Sequence, residues 1–287
     1  MLPHRILQHM SALIETEIRP TIIVWTLGGE TIHTSYGTNC TAILGADGVV
    51  LVDPLIAPAY ARLVEAALRA RTAAPVRAVV LTHHHTDHAL GSSWFARQGI
   101  PVLAHRACRE RMAEHPRLIE ARRQNPETRD LFADAESILP SIAFDEGVTV
   151  YAGDLEVEVW HPGWAHTPGD AFFFVPSEGV VICGDLLWNA YHYNYEDASL
   201  PGIRRGLDAL RALDADTFVP GHGAVVGSQA IAENARYHDT VEAIIREAGD
   251  ESDAAVGEAL RARFPDYRLS LVIPVAVARI REQIAAG

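Results

Sequence analysis

Thr82-His83-His84-His85-Thr86-Asp87-His88 decides how this chain is read: it places a His-x-His-x-Asp-His pattern at the end of an apolar run. The run before it, Arg77-Ala78-Val79-Val80-Leu81, follows Pro75 and is short, rich in β-branched residues and bounded by polar ones, which predicts a buried strand. On an extended backbone alternate side chains share a face, so His83, His85 and Asp87 are expected to point one way and His84 the other. His88 joins them only if the chain turns there. Thr86 or Asp87, as the N-cap of a helix from Ala89 to Gln98, would supply that turn.

Imidazole and carboxylate groups suit Zn, Fe or Mn, and a catalytic ion needs an open position. The four candidate ligands His83, His85, Asp87 and His88 exceed what one open tetrahedral ion takes, so the pattern suggests two metals. A His-rich surface loop is the plainer alternative. The run is internal and beside a strand, unlike a terminal purification tag.

The 287 residues allow about two domains or one large α/β domain. Hydrophobic content of 48% and charged content of 21% are those of an ordinary soluble globular protein. The net charge of −13 argues against a nucleic-acid groove, which needs an excess of Lys and Arg. A small-molecule substrate is the expected partner, with a homodimer left open. Cys40, Cys108 and Cys183 are odd in number and widely spaced, so reduced thiols and a cytoplasmic setting are expected. The start, Met1-Leu2-Pro3-His4-Arg5-Ile6-Leu7, lacks a long apolar signal region, and no run of 18 apolar residues occurs, so neither export nor a membrane span is expected.

Residues 1–20 show no clean period and are expected to form an arm or a short helix. Thr21-Ile22-Ile23-Val24-Trp25 reads as the first strand, with Gly28-Gly29 as its turn. Thr41-Ala42-Ile43-Leu44 and Gly48-Val49-Val50-Leu51-Val52 flank a hairpin signal, and Asp53-Pro54 ends the second of them. Leu63, Val64, Ala67 and Leu68 recur at helical spacing, predicting a helix over 58–71 packed on the sheet. Strands are expected at Pro101–Ala104, Val148–Val150, Leu155–Trp160, Ala171–Val175, Val180–Cys183 and Thr217–Val219. Helices are expected at 200–213 and 228–248 and again towards the C-terminus, where Pro274 lies near the start of the last one. The charged stretch 105–136 reads as a helical insertion: either a solvated face or a lid with an anion-seeking arginine.

Three further stretches each set a metal-competent residue at a strand end beside glycine or proline: His166 in Ala165-His166-Thr167-Pro168-Gly169-Asp170, Asp185 after Cys183-Gly184, and His222 in Pro220-Gly221-His222-Gly223. Glycine there lets the backbone approach closely, and strand ends at one edge of a sheet are where α/β proteins gather their sites.

Taken together, these stretches resemble the metallo-β-lactamase superfamily: Thr-His-x-His-x-Asp-His, then His, then Gly-Asp, then Pro-Gly-His-Gly, in family order. The resemblance implies an α/β fold built as a four-layer αββα sandwich with C-terminal helices. Its divisions are an arm at 1–20, a catalytic domain at 21–226 and a helical extension at 227–287 packed on that domain. It also implies a dinuclear site, with His83, His85 and His166 on the first metal, Asp87, His88 and His222 on the second, and Asp185 bridging. Zinc is the first expectation for both ions, with manganese or iron as the other candidates. His4, His9, His33, His84, His105, His115, His161, His192 and His238 match no ligand position and read as structural or surface residues.

The implied function is hydrolysis of a small-molecule carbonyl (ester, lactone, thioester or β-lactam) by a metal-bridging hydroxide, which two ions about 3.5–4 Å apart make available near neutral pH. Asp87 would orient that hydroxide and pass a proton to the leaving group. Tyr191-His192-Tyr193-Asn194-Tyr195 reads either as a packed loop or as a pocket wall, beside Trp188, in which Tyr191 or His192 donates to the oxyanion. The Asp/His set looks more like glyoxalase II-type thioesterases and lactonases than the Cys-bridged lactamases. Persulfide dioxygenases, which share the histidine pattern but use one iron, are the alternative.

Overall fold

In the strand Ile22–Thr26 all residues but the last are buried, because both faces of the strand meet apolar layers. Ile22 and Val24 join a core lying between two sheets, while Ile23 and Trp25 join one between the first sheet and its helices. The second sheet repeats this split: Phe173 faces the other sheet, and Phe172 and Phe174 face the outer helices. The triple phenylalanine is therefore buried on both sides, as the strand period of two requires. Fully burying such a side chain contributes about 1.5–3 kcal/mol, so the alternation fixes which face each strand turns inward.

The layers are αββα, and the computed structural model describes residues 13–286. The first sheet runs β1 (Ile14–Arg19), β2 (Ile22–Thr26), β3 (Asn39–Leu44), β4 (Val49–Val52), β5 (Val76–Val80), β6 (Val102–His105) and β7 (Ile142–Phe144) in that spatial order. Pairing is antiparallel from β1 to β4 and parallel from β4 to β7. The second sheet holds β8 (Gly147–Ala152), β9 (Leu155–Trp160), β10 (Phe172–Val175), β11 (Val180–Trp188), β12 (Thr217–His222) and β13 (Val226–Gly227). Its spatial order is β13-β12-β11-β10-β9-β8, with only β11 and β12 parallel.

On the outer face of the first sheet lie α1 (Pro58–Arg71), α2 (Thr86–Ala89), α3 (Ser92–Ala96), α4 (Arg106–Arg111) and α5 (His115–Gln124). Covering the second are α6 (Leu200–Arg211), α7 (Gln229–Ala248), α8 (Asp253–Arg263) and α9 (Ile273–Ala286). Ile231, Val241, Val256, Ile273 and Ile280 share one core with Val181 and Phe218, so the C-terminal helices pack on the second sheet.

Several expectations change. The arm expected at 1–20 falls partly outside the described residues, and its remainder contains the edge strand β1 rather than a helix. The helix expected from Ala89 to Gln98 is two short ones, and the N-cap is His85, not Thr86 or Asp87. The Asp87 carboxylate instead accepts a 2.8 Å hydrogen bond from Thr38 Oγ1. In the charged insertion helix stops at Gln124, because Asn125 precedes Pro126 and takes an extended conformation. Finally, β11 runs on through Asp185 to Trp188 instead of ending at Cys183.

Candidate metal centre

Where β4 and β5 end side by side, Asp53 fixes the start of the histidine-rich segment. Thr82 donates to it twice, from the backbone N–H at 2.8 Å and from Oγ1 at 2.6 Å. Asp53 is buried and has a left-handed backbone, φ 50°. A non-glycine residue held there stores about 1–3 kcal/mol of strain, which the surrounding contacts must sustain.

From this anchor two groups of donor atoms converge. In the first, Asp185 Oδ2 lies 3.1 Å from His166 Nε2 and 3.6 Å from His83 Nε2, and His166 Nε2 lies 3.0 Å from His85 Nδ1. In the second, Asp87 Oδ2 lies 3.5 Å from both His88 Nε2 and His222 Nε2, which are 3.4 Å apart. Asp185 stands between the groups, with Oδ1 3.2 Å from His88 Nε2 and Oδ2 3.5 Å from His222 Nε2. Two glycines permit this approach. A Cβ at Gly221 would collide with Asp185 Oδ1, and one at Gly184, where φ is +52°, would collide with Thr82.

The outward ring nitrogens show which atoms are left for a cation. His88 Nδ1 donates to Asp53 Oδ2 at 2.8 Å, His222 Nδ1 to the Tyr36 carbonyl at 3.1 Å, and His85 Nε2 to Asp197 Oδ2 at 3.2 Å. His83 Nδ1 lies 2.9 Å from Thr82 Oγ1, whose own proton goes to Asp53. Such partners fix tautomer and ring orientation in metal-binding histidines. His83 Nε2 and Asp185 Oδ1 are buried with no hydrogen-bond partner, and a buried group left so costs about 1–3 kcal/mol. The donor set thus fits divalent ions held by nitrogen and oxygen.

Charge is balanced within the cluster. Burial alone would raise the Asp185 carboxyl, but His88, His222, His83 and His166 hold it well below the usual carboxylate range. Burial would lower His88, and Asp185, Asp87 and Asp53 instead raise it well above an ordinary imidazole. His83 goes the other way, lowered by burial and then by the neighbouring His88.

A family model described as the metallo-beta-lactamase superfamily matches residues 33–222. The chain belongs to this superfamily. Solved structures similar to it include a metallo-β-lactamase from Pontibacter korlensis at 21% identity and TM-score 0.65, covering 79% of this chain and 99% of that one. TMB-1 aligns at 14% identity and TM-score 0.64, covering 80% of this chain and 98% of its own. A DIM-1 metallo-β-lactamase aligns at 16% identity and TM-score 0.61, covering 79% and 97%.

Within this metallo-β-lactamase fold, the seven ligand candidates from the sequence come together, and two other candidates do not. The Tyr191 hydroxyl donates to the Gly29 carbonyl at 2.7 Å, so it is not free for an oxyanion. His192 is buried among Tyr237, Phe264 and Tyr267, with Nδ1 3.3 Å from the Tyr237 hydroxyl. Both residues follow the end of β11, where no strand period governs side-chain direction. Trp188 does line the cleft, its ring 4.1 Å from that of His222.

His84 also departs from expectation, because strand alternation ends at β5. Instead of pointing away, it lines the cleft with Nε2 3.3 Å from Asp197 Oδ2. Burial lowers its pKa to about 4, so it stays neutral there. Asp53, Asp197 and Thr38 carry no sequence motif and were missed. The one available signal was Asp53 itself, a carboxylate placed directly after the buried run Val49–Val52.

Proposed function

We propose that this protein is a hydrolase with two zinc ions, acting on the carbonyl of a small ester, lactone, thioester or β-lactam. The observation that carries the reading is Asp185, whose carboxylate lies against both donor groups, 3.1 Å from His166 Nε2 in one and 3.2 Å from His88 Nε2 in the other, in one open cleft. His83, His85 and His166 would hold one ion, Asp87, His88 and His222 the other, and Asp185 both. When bound, the ions supply a water acidified towards neutral pH and a Lewis acid for the carbonyl oxygen. Asp87, oriented by Thr38, is the carboxylate placed to hold a proton at the floor and pass it to a leaving group.

Other residues set the surroundings. Asp53, Asp197 and the Tyr36 carbonyl keep the imidazoles oriented before substrate arrives. Cys40, Cys108 and Cys183 are buried and unbridged, which suits a reducing compartment such as the cytoplasm. Among the described residues no helix is long and apolar enough to cross a membrane.

Metal analysis of the purified protein, with a panel of lactones, thioesters, esters and β-lactams assayed with Zn and Mn, tests the reading. About two ions per chain and turnover of a panel member support it. A single bound iron with oxygen consumption on a persulfide would replace it with the dioxygenase alternative.

A further inference from the structure

The cleft above the donor atoms encloses roughly 420 Å³, on the scale of a small-molecule site. One wall is α5, which turns His115, Leu118 and Arg122 into it, residues three and four apart and so on one helical face. Leu269, Leu271, Val272 and Val275, around the start of α9, line the same cleft. Leu118 is 46% exposed, Leu271 62% and Val275 39%, so the lip is an open apolar surface in a cleft whose floor is polar. A cavity of this size with apolar walls and a few convergent polar groups has the usual form of a small-molecule site.

Two arginines line the cleft, in different situations. Arg111 is committed to carboxylates, with Asp197 Oδ1 at 2.8 Å and Glu114 Oε1 at 3.2 Å. Arg122 makes no ion pair among the described residues, and it lines the cleft together with Tyr36, whose phenol burial pushes up and the Arg122 charge draws back. Tyr36 is itself fixed to the metal centre. It holds a left-handed φ of 53°, its carbonyl accepts from His222, and the adjacent Ser35 hydroxyl donates to the Asp87 carbonyl at 3.1 Å. The remaining charged groups of the cleft, including Glu114, Glu196 and Asp197, are acidic or already paired. Among the described residues of the cleft, Arg122 is therefore the cation that an anionic ligand group meets outside the floor without displacing a carboxylate.

We infer that the cleft selects amphipathic acyl compounds, their apolar chain lying between Leu118 and the Leu271–Val275 lip and a terminal anion pairing with Arg122. The inference deepens the hydrolase reading and rests on it for the position of the reacting carbonyl, yet binding can be measured without turnover. Arg122 and Leu118 are specificity residues here. They take no part in the chemistry.

The test titrates the zinc-loaded protein calorimetrically with acetohydroxamate, octanohydroxamate and suberic acid monohydroxamate, which share one metal-seeking head. Octanohydroxamate should bind about tenfold tighter than acetohydroxamate through apolar burial. The suberic compound should gain about a further fivefold at low salt. Arg122→Gln should remove only the second gain, and Leu118→Ser with Leu271→Ser only the first. Equal affinity for all three ligands, or a carboxylate gain that survives Arg122→Gln, overturns the inference. The same ranking without hydrolysis of any lactone, thioester, ester or β-lactam of the panel, the 4-nitrophenyl monoester of suberic acid included, would keep the binding inference and retire the hydrolase reading.

Discussion

Asp53 accepts a 2.8 Å hydrogen bond from His88 Nδ1, and through Thr82 it also holds His83, so one carboxylate orients a histidine in each donor group. Asp53→Asn preserves the shape but loses the charge that favours both imidazole N–H groups. Affinity for both ions should fall about 10–100-fold, read by competition with a zinc chelator. If both ions bind as tightly as in the parent, the anchoring role is wrong.

Asp197 touches the first group alone, through His85 Nε2 at 3.2 Å. Asp197→Asn should weaken one ion about 10–100-fold and leave its neighbour nearly unchanged, giving a biphasic titration where Asp53→Asn gives a general loss. A uniform weakening would contradict this division.

The sharing of Asp185 sets a stoichiometric test. His166→Ala and His222→Ala should each retain about one ion per chain, whereas Asp185→Ala should bind neither firmly, as counted by mass spectrometry of the dialysed protein. His85→Ala and Asp87→Ala should lose turnover together with metal. Full metal content and parental activity in Asp185→Ala would remove the basis for a shared site.

Tyr191→Phe should leave kcat/KM unchanged and lower stability by about 1 kcal/mol, because its hydroxyl serves the Gly29 carbonyl. A tenfold loss of kcat/KM at unchanged Tm would instead restore it as an oxyanion donor.

Acid sensitivity should come in part from His238, which shares a 2.6 Å hydrogen bond with the Tyr195 hydroxyl and whose pKa burial lowers to about 3. The unfolded chain takes up that proton below about pH 6.5, while the folded one does not until much lower, so the contribution is present above pH 6.5 and lost as pH falls. Between pH 7 and pH 5 this amounts to about 2 kcal/mol. Asp170 has the opposite sign, since burial raises it to about 7 and its contribution fades as pH climbs from the ordinary carboxylate range. His238→Gln should flatten the fall of Tm from pH 7 to pH 5, and an unaltered slope would rule His238 out.

How much could be read in advance differs by residue. His83, His85, Asp87 and His88 are adjacent in the chain, and their spacing alone announces a metal. His166, Asp185 and His222 were legible because each is a metal-competent residue in a glycine- or proline-bearing stretch after an apolar run, although β11 continues past Asp185 and β9 ends well before His166. Asp53, Asp197 and Thr38 were not, since each acts on a partner distant in sequence that only sheet pairing brings near. For Tyr191 and His192 chemical competence was visible in the sequence and side-chain direction was not.

The sequence by itself determined most strands and the close-spaced donors at 83–88, because strand period and short-range spacing are local properties that survive without a fold. The αββα layers and the wider ligand set were instead implied by the resemblance of four separate motifs to one superfamily. Tertiary structure alone decided the orientation of His84, the burial of His192, the hold of Asp53 on two imidazoles and the apolar residues that share the cleft with α5. These depend on which strand ends and helix faces meet, and such meetings are set by packing across long stretches of chain.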